Sequence, residues 1–266
     1  MRFPGMRRPL RRAAMLLAVT LVALGAFSIA LAYDPTGQNP GITKEAHKMH
    51  DLYLFVLIAA AIVFFVVEGL IIYAALRYRK RSDELPPQFH GSTVLEFVWT
   101  GIPVIIVLVL FVYSFIVLRD VEHPSDAGVM QVDVQAFQFQ WQFTQKMSEM
   151  GPGSNPNDNR VITTTGTAAK EPTLVIPEGE KIQFNLESED VIHAFYVRDF
   201  LYKLDVIPGR HNHFTVTPTK TGTFEGQCAE LCGLNHSLMR FHVQVMTRAD
   251  FDKWAASNAA APSSAQ

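Results

Sequence analysis

The chain has 266 residues, 48% hydrophobic and 18% charged, with a formal net charge of −2. It is too apolar for a disordered chain, carries less charge than the roughly 25% usual in soluble globules, and has too few cysteines for a disulfide-rich secreted scaffold. Residues 119–266 hold 12 Lys or Arg against 18 Asp or Glu, which excludes the clustered positive charge of a nucleic-acid binder.

Residues 1–32 contain five arginines and no acid. The basic stretch ends at Arg12, an apolar run follows from Ala13, and Ala30-Leu31-Ala32 offers small residues for cleavage. The pattern reads as an export signal peptide. The run is long for a signal, so an uncleaved membrane helix is the alternative. Residues 33–51 then form an extracytoplasmic N-terminal segment.

Two apolar stretches follow, at 52–76 and 94–118. Each exceeds the ~20 residues that cross a ~30 Å hydrocarbon layer, and in lipid both must be helical. Together they define a transmembrane hairpin over 52–118. The turn between them carries Arg77, Arg79, Lys80 and Arg81, followed by Pro86-Pro87. So basic a turn belongs on the cytoplasmic side, which puts both mature termini outside. Glu68 lies inside the first span and is a functional candidate, because a stranded carboxyl in lipid is costly. A neutral Glu68 bonded to a partner's helix is the alternative. Glu96 opens the second span in Leu95-Glu96-Phe97-Val98-Trp99-Thr100, where a first-turn acid suits the helix dipole.

From residue 129 the apolar period becomes two. Ile182, Phe184 and Leu186 alternate with polar residues, as do Phe241, Val243 and Val245. Short strands punctuated by Gly and Pro predict an all-β sandwich over 119–254. Val132, Val134 and Ala136 fall on even positions, but Phe137, Phe139, Trp141 and Phe143 on odd ones. A β-bulge near Ala136-Phe137 would explain that slip. The Ala- and Ser-rich residues 255–266 read as a disordered tail.

The most informative segment runs from Gly226 to Met239 and holds both cysteines in the pattern C-x3-C-x3-H-x2-M. A disulfide explains neither His236 nor Met239. Zinc would take Cys228, Cys232, His236 and His193 but leave the thioether of Met239 idle. Copper suits thiolate, imidazole and thioether together. A mononuclear blue site has one thiolate, so a second cysteine favours two bridged coppers. His193, Cys228, Cys232, His236 and Met239 supply that inventory, with a backbone carbonyl of the loop as a further weak donor. Such a closed set favours electron transfer over substrate chemistry.

On these residues, with Asp190-Val191-Ile192-His193 and 203–210 (KLDVIPGR), the chain resembles subunit II of haem–copper cytochrome c oxidases. The resemblance implies a cupredoxin-like domain with a dinuclear copper-A centre. Cys228 and Cys232 would bridge the coppers, His193 and His236 would be terminal ligands, and Met239 and the Glu230 carbonyl axial ones. The Glu230 side chain would reach a magnesium ion shared with subunit I. Glu96 matches an acid near a proton path into that subunit, and Asp205 and Arg210 match residues near the subunit interface. The implied function is to accept electrons from cytochrome c and pass them to haem in subunit I for oxygen reduction, with proton translocation. Subunits I and III would be partners, and the protein would sit in the cell (inner) membrane with its copper domain on the periplasmic side. Gln138-Phe139-Gln140-Trp141 departs from the family's Gln-Trp-aromatic-Trp, leaving Trp141 as the remaining candidate for electron passage, with a stacked core aromatic as the alternative. A copper carrier, a quinol-oxidising relative and a copper-A domain of another respiratory reductase are the competing readings.

Overall fold

The computed structural model describes residues 40–79, 91–122, 129–167 and 170–260. The predicted signal peptide, most of the basic turn and residues 261–266 lie outside the described residues.

Helix α1, Lys44–Arg77, starts where the Thr43 hydroxyl accepts a hydrogen bond from the Ala46 amide at 2.9 Å. Its 34 residues span about 51 Å at 1.5 Å per residue, well beyond the bilayer core. The surplus lies at its N-terminal end, which is built into the β-domain. There the Glu45 carboxylate accepts from the Thr217 amide at 2.7 Å and from its hydroxyl at 3.0 Å. Ile42 is fully buried and donates its amide to the Asp199 carbonyl at 2.9 Å. Helix α2, Thr93–Glu122, returns antiparallel; Val117 and Val121 near its end are buried. The Lys48–Asp120 ion pair joins the two helices at that level. Both helices are long and apolar enough to cross a membrane. Their middle stretches expose large apolar side chains such as Phe65 and Ile105, as lipid or partner contact requires.

The remainder is a sandwich of two five-stranded sheets. One has the order β3-β2-β1-β5-β8 and comprises β1 (Met130–Phe137), β2 (Gln140–Lys146), β3 (Val161–Thr165), β5 (Ile182–Ser188) and β8 (Asn212–Val216). The other has the order β4-β10-β9-β6-β7 and comprises β4 (Thr173–Pro177), β6 (His193–Val197), β7 (Tyr202–Val206), β9 (Gly222–Cys228) and β10 (Arg240–Met246). β1 pairs parallel with β5, and β10 with β4; the other pairings are antiparallel. The buried faces meet in an aromatic core, in which Phe184 stacks on Phe214 at 4.9 Å and Phe195 tilts against Phe241 at 4.9 Å.

Two expectations are corrected here. The slip near Ala136 is no bulge: β1 ends at Phe137, Gln138 and Phe139 turn the chain, and β2 returns with Ala136 opposite Trp141. A two-residue turn, like a bulge, changes the parity of inward-facing positions, so Val134 and Phe143 pair across the hairpin with both side chains in the core. The predicted tail is also ordered at its start. Helix α3, Arg248–Asn258, runs past residue 255, burying Phe251 and Ala255 one turn apart. Beyond it, Ala260 exchanges two backbone hydrogen bonds of 3.0 Å with Val161. Ala is a poor signal of disorder when its neighbours supply a buried helical stripe.

Candidate metal centre

The site forms where β6 begins and β9 ends. Antiparallel pairing sets Phe195 opposite Cys228, and the Ala229 amide donates to the Ala194 carbonyl at 3.1 Å, so His193 arrives beside Cys228. The following loop closes on itself through the Cys228 amide, which donates to the Met239 carbonyl at 2.9 Å. Gly233, at φ 133°, lets the loop lie against the β1–β2 turn; a Cβ there would stand 3.1 Å from the Phe139 ring. Gln138, in that turn, donates from Nε2 to the Cys232 carbonyl at 2.7 Å.

Five side chains converge. The His193 Nδ1 lies 3.8 Å from Cys228 Sγ, and His236 Nδ1 lies 3.6 Å from Cys232 Sγ. The two sulfurs are 3.9 Å apart, and Met239 Sδ is 3.9 Å from Cys232 Sγ. The Glu230 carbonyl oxygen lies 3.3 Å from Cys228 Sγ. The sulfur separation is nearly twice a disulfide bond length of ~2.05 Å, so both thiols are free. Both cysteines and Met239 are buried, His193 is fully enclosed, and His236 is half-buried.

The electrostatics prepare this set for a cation. Burial works to raise the Cys228 thiol, but hydrogen bonds with His193 and the surrounding backbone outweigh it and bring it down to about 6. Burial, then the charge of Cys228, push Cys232 up to about 12. A metal takes thiolates as ligands, so its binding displaces whatever proton the pair still holds. His193 donates from Nε2 to Asp190 Oδ1 at 2.9 Å, which turns Nδ1 toward the sulfurs. Asp190 also accepts from the amides of Gln138 and Val191, each at 2.6 Å. Partial burial would raise the Asp190 carboxyl, but these bonds hold it below the usual range. A carboxylate behind a ligand imidazole fixes its ring and tautomer. Among the described residues, His193, Cys228 and Cys232 form the one group whose ligand atoms all lie within 4.8 Å of one another. Thiolate, imidazole and thioether are soft or borderline donors, with no carboxylate among them, and they fit copper.

Residues 132–246 match the family described as cytochrome c oxidase subunit II, periplasmic domain, and residues 37–117 match its transmembrane domain. A probable cytochrome c oxidase subunit 2 from Rickettsia bellii is 33% identical over 256 residues, covering 90% of this chain and 91% of that protein. Cytochrome c oxidase subunit 2 from Mycobacterium bovis is 35% identical over 293 residues, covering 92% of this chain and 80% of that one. The chain belongs to the cytochrome c oxidase subunit II family. It is therefore a membrane-anchored subunit of a haem–copper oxidase complex, an oxidoreductase that includes subunit I. Among solved structures, the periplasmic domain of the CoxB subunit II from Bradyrhizobium japonicum is 28% identical, with TM-score 0.42 over 51% of this chain and 95% of that domain.

For a cytochrome c oxidase subunit II, the other expected site residues fall in separate places. Trp141 is fully buried beneath the centre, its ring 6.3 Å from His193, 5.8 Å from Phe195 and 5.3 Å from Phe241. Its indole N–H donates to the Met239 carbonyl at 3.4 Å. That burial denies Trp141 direct contact with an electron donor. Glu96 stands in the first turn of α2, at the end of the hairpin remote from the sandwich. The 26 residues from there to Glu122 rise about 39 Å along the helix, so Glu96 lies outside the metal centre. The Glu230 carboxylate meets Lys203 Nζ at 3.1 Å, and Lys203 also reaches Asp205 at 3.3 Å. Gln138 had no sequence signal beyond its place before Phe139. Asp190 could be read as the acid three residues before a ligand histidine, but its hydrogen bond could not.

Proposed function

We propose that this chain is the electron-accepting subunit of its oxidase, carrying two copper ions held by Cys228, Cys232, His193, His236, Met239 and the Glu230 carbonyl. The observation that carries the reading is the convergence of these donors into one buried, closed set. When bound, the copper pair supplies a one-electron carrier whose charge is shared by two ions. The chain's own contribution is rigidity: the Cys228–Met239 backbone bond, the Gln138 amide and Asp190 hold the donors in place before metal arrives. Burial excludes water from the sulfurs, and the half-buried His236 gives the centre an edge near the surface. A copper carrier would keep its sulfurs within reach of a receiving protein, and their burial favours a resident metal instead.

Cytochrome c is the proposed donor, the haem of subunit I the acceptor, and subunit III a further partner. Leu231, Leu234 and Leu238 are 78%, 94% and 69% exposed on the metal loop, and Glu187, Glu189 and Asp190 are exposed nearby. An apolar patch with acidic neighbours suits a donor whose own apolar edge is ringed by positive charge. The centre would lie on the periplasmic side of the cell membrane, and the Glu96 end of the hairpin on the cytoplasmic side. Copper content of this subunit, separated under mild conditions from the purified oxidase because the haem–copper partner carries copper of its own, tests the reading. About two coppers per chain in this subunit, with one unpaired electron spread over both in the paramagnetic resonance spectrum, is the expected result. One copper per chain overturns it.

Met239→Leu is expected to leave copper bound but shift its potential, because a weak axial donor tunes a copper site without being needed to hold it. Redox titration of the variant checks this. We further propose proton uptake near Glu96 and a magnesium ion reached by the Glu230 carboxylate once Lys203 is displaced. Glu96→Gln is expected to slow oxidase turnover about tenfold while leaving the copper spectrum unchanged, less than the ~10²–10⁴-fold that an acid or base contributes at the reacting group itself, because the proposed role is at a remote entrance. Steady-state oxygen consumption and the spectrum, measured on one sample, separate the two.

A further inference from the structure

We propose that Gln138 is a positioning residue that keeps the two halves of the metal centre matched, so that one electron is shared evenly across them. The inference rests on the paired-copper reading above. The halves are built differently. His193 and Cys228 belong to β6 and β9, which are neighbouring strands, and both side chains are buried. Cys232 and His236 lie on the loop beyond β9, where Gly233 takes φ 133° and His236 is half-buried. Hydrogen bonds in this second half close within the loop. The His236 amide donates to the Gly233 carbonyl at 3.2 Å, the Leu238 amide to the Asn235 carbonyl at 3.0 Å, and the Met239 amide to the His236 carbonyl at 3.2 Å. A loop bonded only to itself is free to shift against the strands, and donors at unequal distances would hold an electron unequally.

Gln138 removes that freedom. Among the described residues, it makes the hydrogen bond that reaches the loop half from outside, with Nε2 donating to the Cys232 carbonyl at 2.7 Å. Its own amide donates to Asp190 Oδ2 at 2.6 Å, while Asp190 Oδ1 accepts from His193 Nε2 at 2.9 Å. One residue is thus bonded to both halves, by its side chain to the loop cysteine and by its backbone to the carboxylate that orients the strand histidine. The turn it occupies is itself held, because the Glu189 amide donates to the Ala136 carbonyl at 3.1 Å and the Phe139 ring packs against Gly233. The outcome is visible in the donors: nitrogen to sulfur is 3.8 Å in the strand half and 3.6 Å in the loop half. Partners behind metal ligands commonly carry about 10–100-fold in affinity or activity.

The test uses the intact purified oxidase and its Q138M and Q142M variants. Methionine keeps the length of glutamine but cannot donate. Gln142 is the control: it lies on β2 of the same hairpin, on the face opposite Trp141 and Phe143, and donates to the Gln135 side chain at 2.6 Å. Loss of this centre's resonance signal to a chelator, its hyperfine pattern and its reduction potential are measured. In Q138M the expected results are signal loss about tenfold faster than wild type, a pattern no longer that of two matched nuclei, and a shifted potential. Q142M should equal wild type in all three. A wild-type pattern or potential in Q138M overturns the inference whatever the rate of signal loss, and equal changes in Q142M overturn it by showing a general loosening of the hairpin. A wild-type oxidase whose electron sits on one copper overturns the paired reading, and this inference with it.

Discussion

Serine at either position 228 or 232 is expected to remove the paired-copper signature altogether and lower bound copper from about two ions per chain to one or none. The two sulfurs stand 3.9 Å apart between two imidazole nitrogens, each sulfur within 4 Å of one of them. Losing either sulfur leaves the remaining thiolate with a hard, protonated hydroxyl as its neighbour. The loss should be specific to the metal. Serine is close in shape, and the Glu230 carbonyl 3.3 Å from Cys228 Sγ is already placed to accept from its hydroxyl. Destabilisation of the metal-free sandwich should stay within about 1–2 kcal/mol. Metal analysis and resonance spectra, set against thermal unfolding of the metal-free proteins, check both halves. Normal paired-copper spectra in either variant would contradict the assignment.

Trp141→Ala is expected to cost the sandwich about 3–5 kcal/mol, as loss of a fully buried aromatic side chain does elsewhere. The indole fills the space under His193 between Phe195 and Phe241, and rings held from several sides cannot collapse easily into the void. Copper should then dissociate at lower denaturant concentration, because the floor of the site loosens with the core. Trp141→Phe keeps one ring but loses the rest of the indole and the long N–H bond to the Met239 carbonyl, so its cost should be smaller, about 1–3 kcal/mol. Guanidinium unfolding followed at the copper absorption measures both. Equal, small losses in the two variants would mean that the ring carries little of the site's support.

Much of this was legible in the sequence because the signals were local. The hairpin showed as two long apolar runs, the strands as period-two alternation, and the donors as C-x3-C-x3-H-x2-M. What escaped depended on pairing and side-chain orientation, which composition and periodicity do not carry. The parity change at Ala136 could be a bulge or a turn, and only pairing of Ala136 with Trp141 distinguishes them. Residues 255–260 looked disordered because their composition is poor in large side chains, yet Phe251 had already set the buried face that Ala255 continues. His193 could be nominated as a ligand, but its orientation by Asp190, and the support of Cys232 by Gln138 across 94 residues, had no periodicity to reveal them. Trp141 could be read as a stacked core aromatic, whereas its place directly beneath His193 could not.

The junction of α1 with the sandwich has a mechanical consequence. With Ile42 sealed inside, Glu45 bonded to Thr217, and the Val121 carbonyl accepting from the Thr215 hydroxyl at 3.4 Å, the copper-bearing head is mounted on its stalk at several points. It cannot ferry charge by swinging between two stations as a head on a loose tether would. Current must cross it while it stands still, and any travelling is left to the donor.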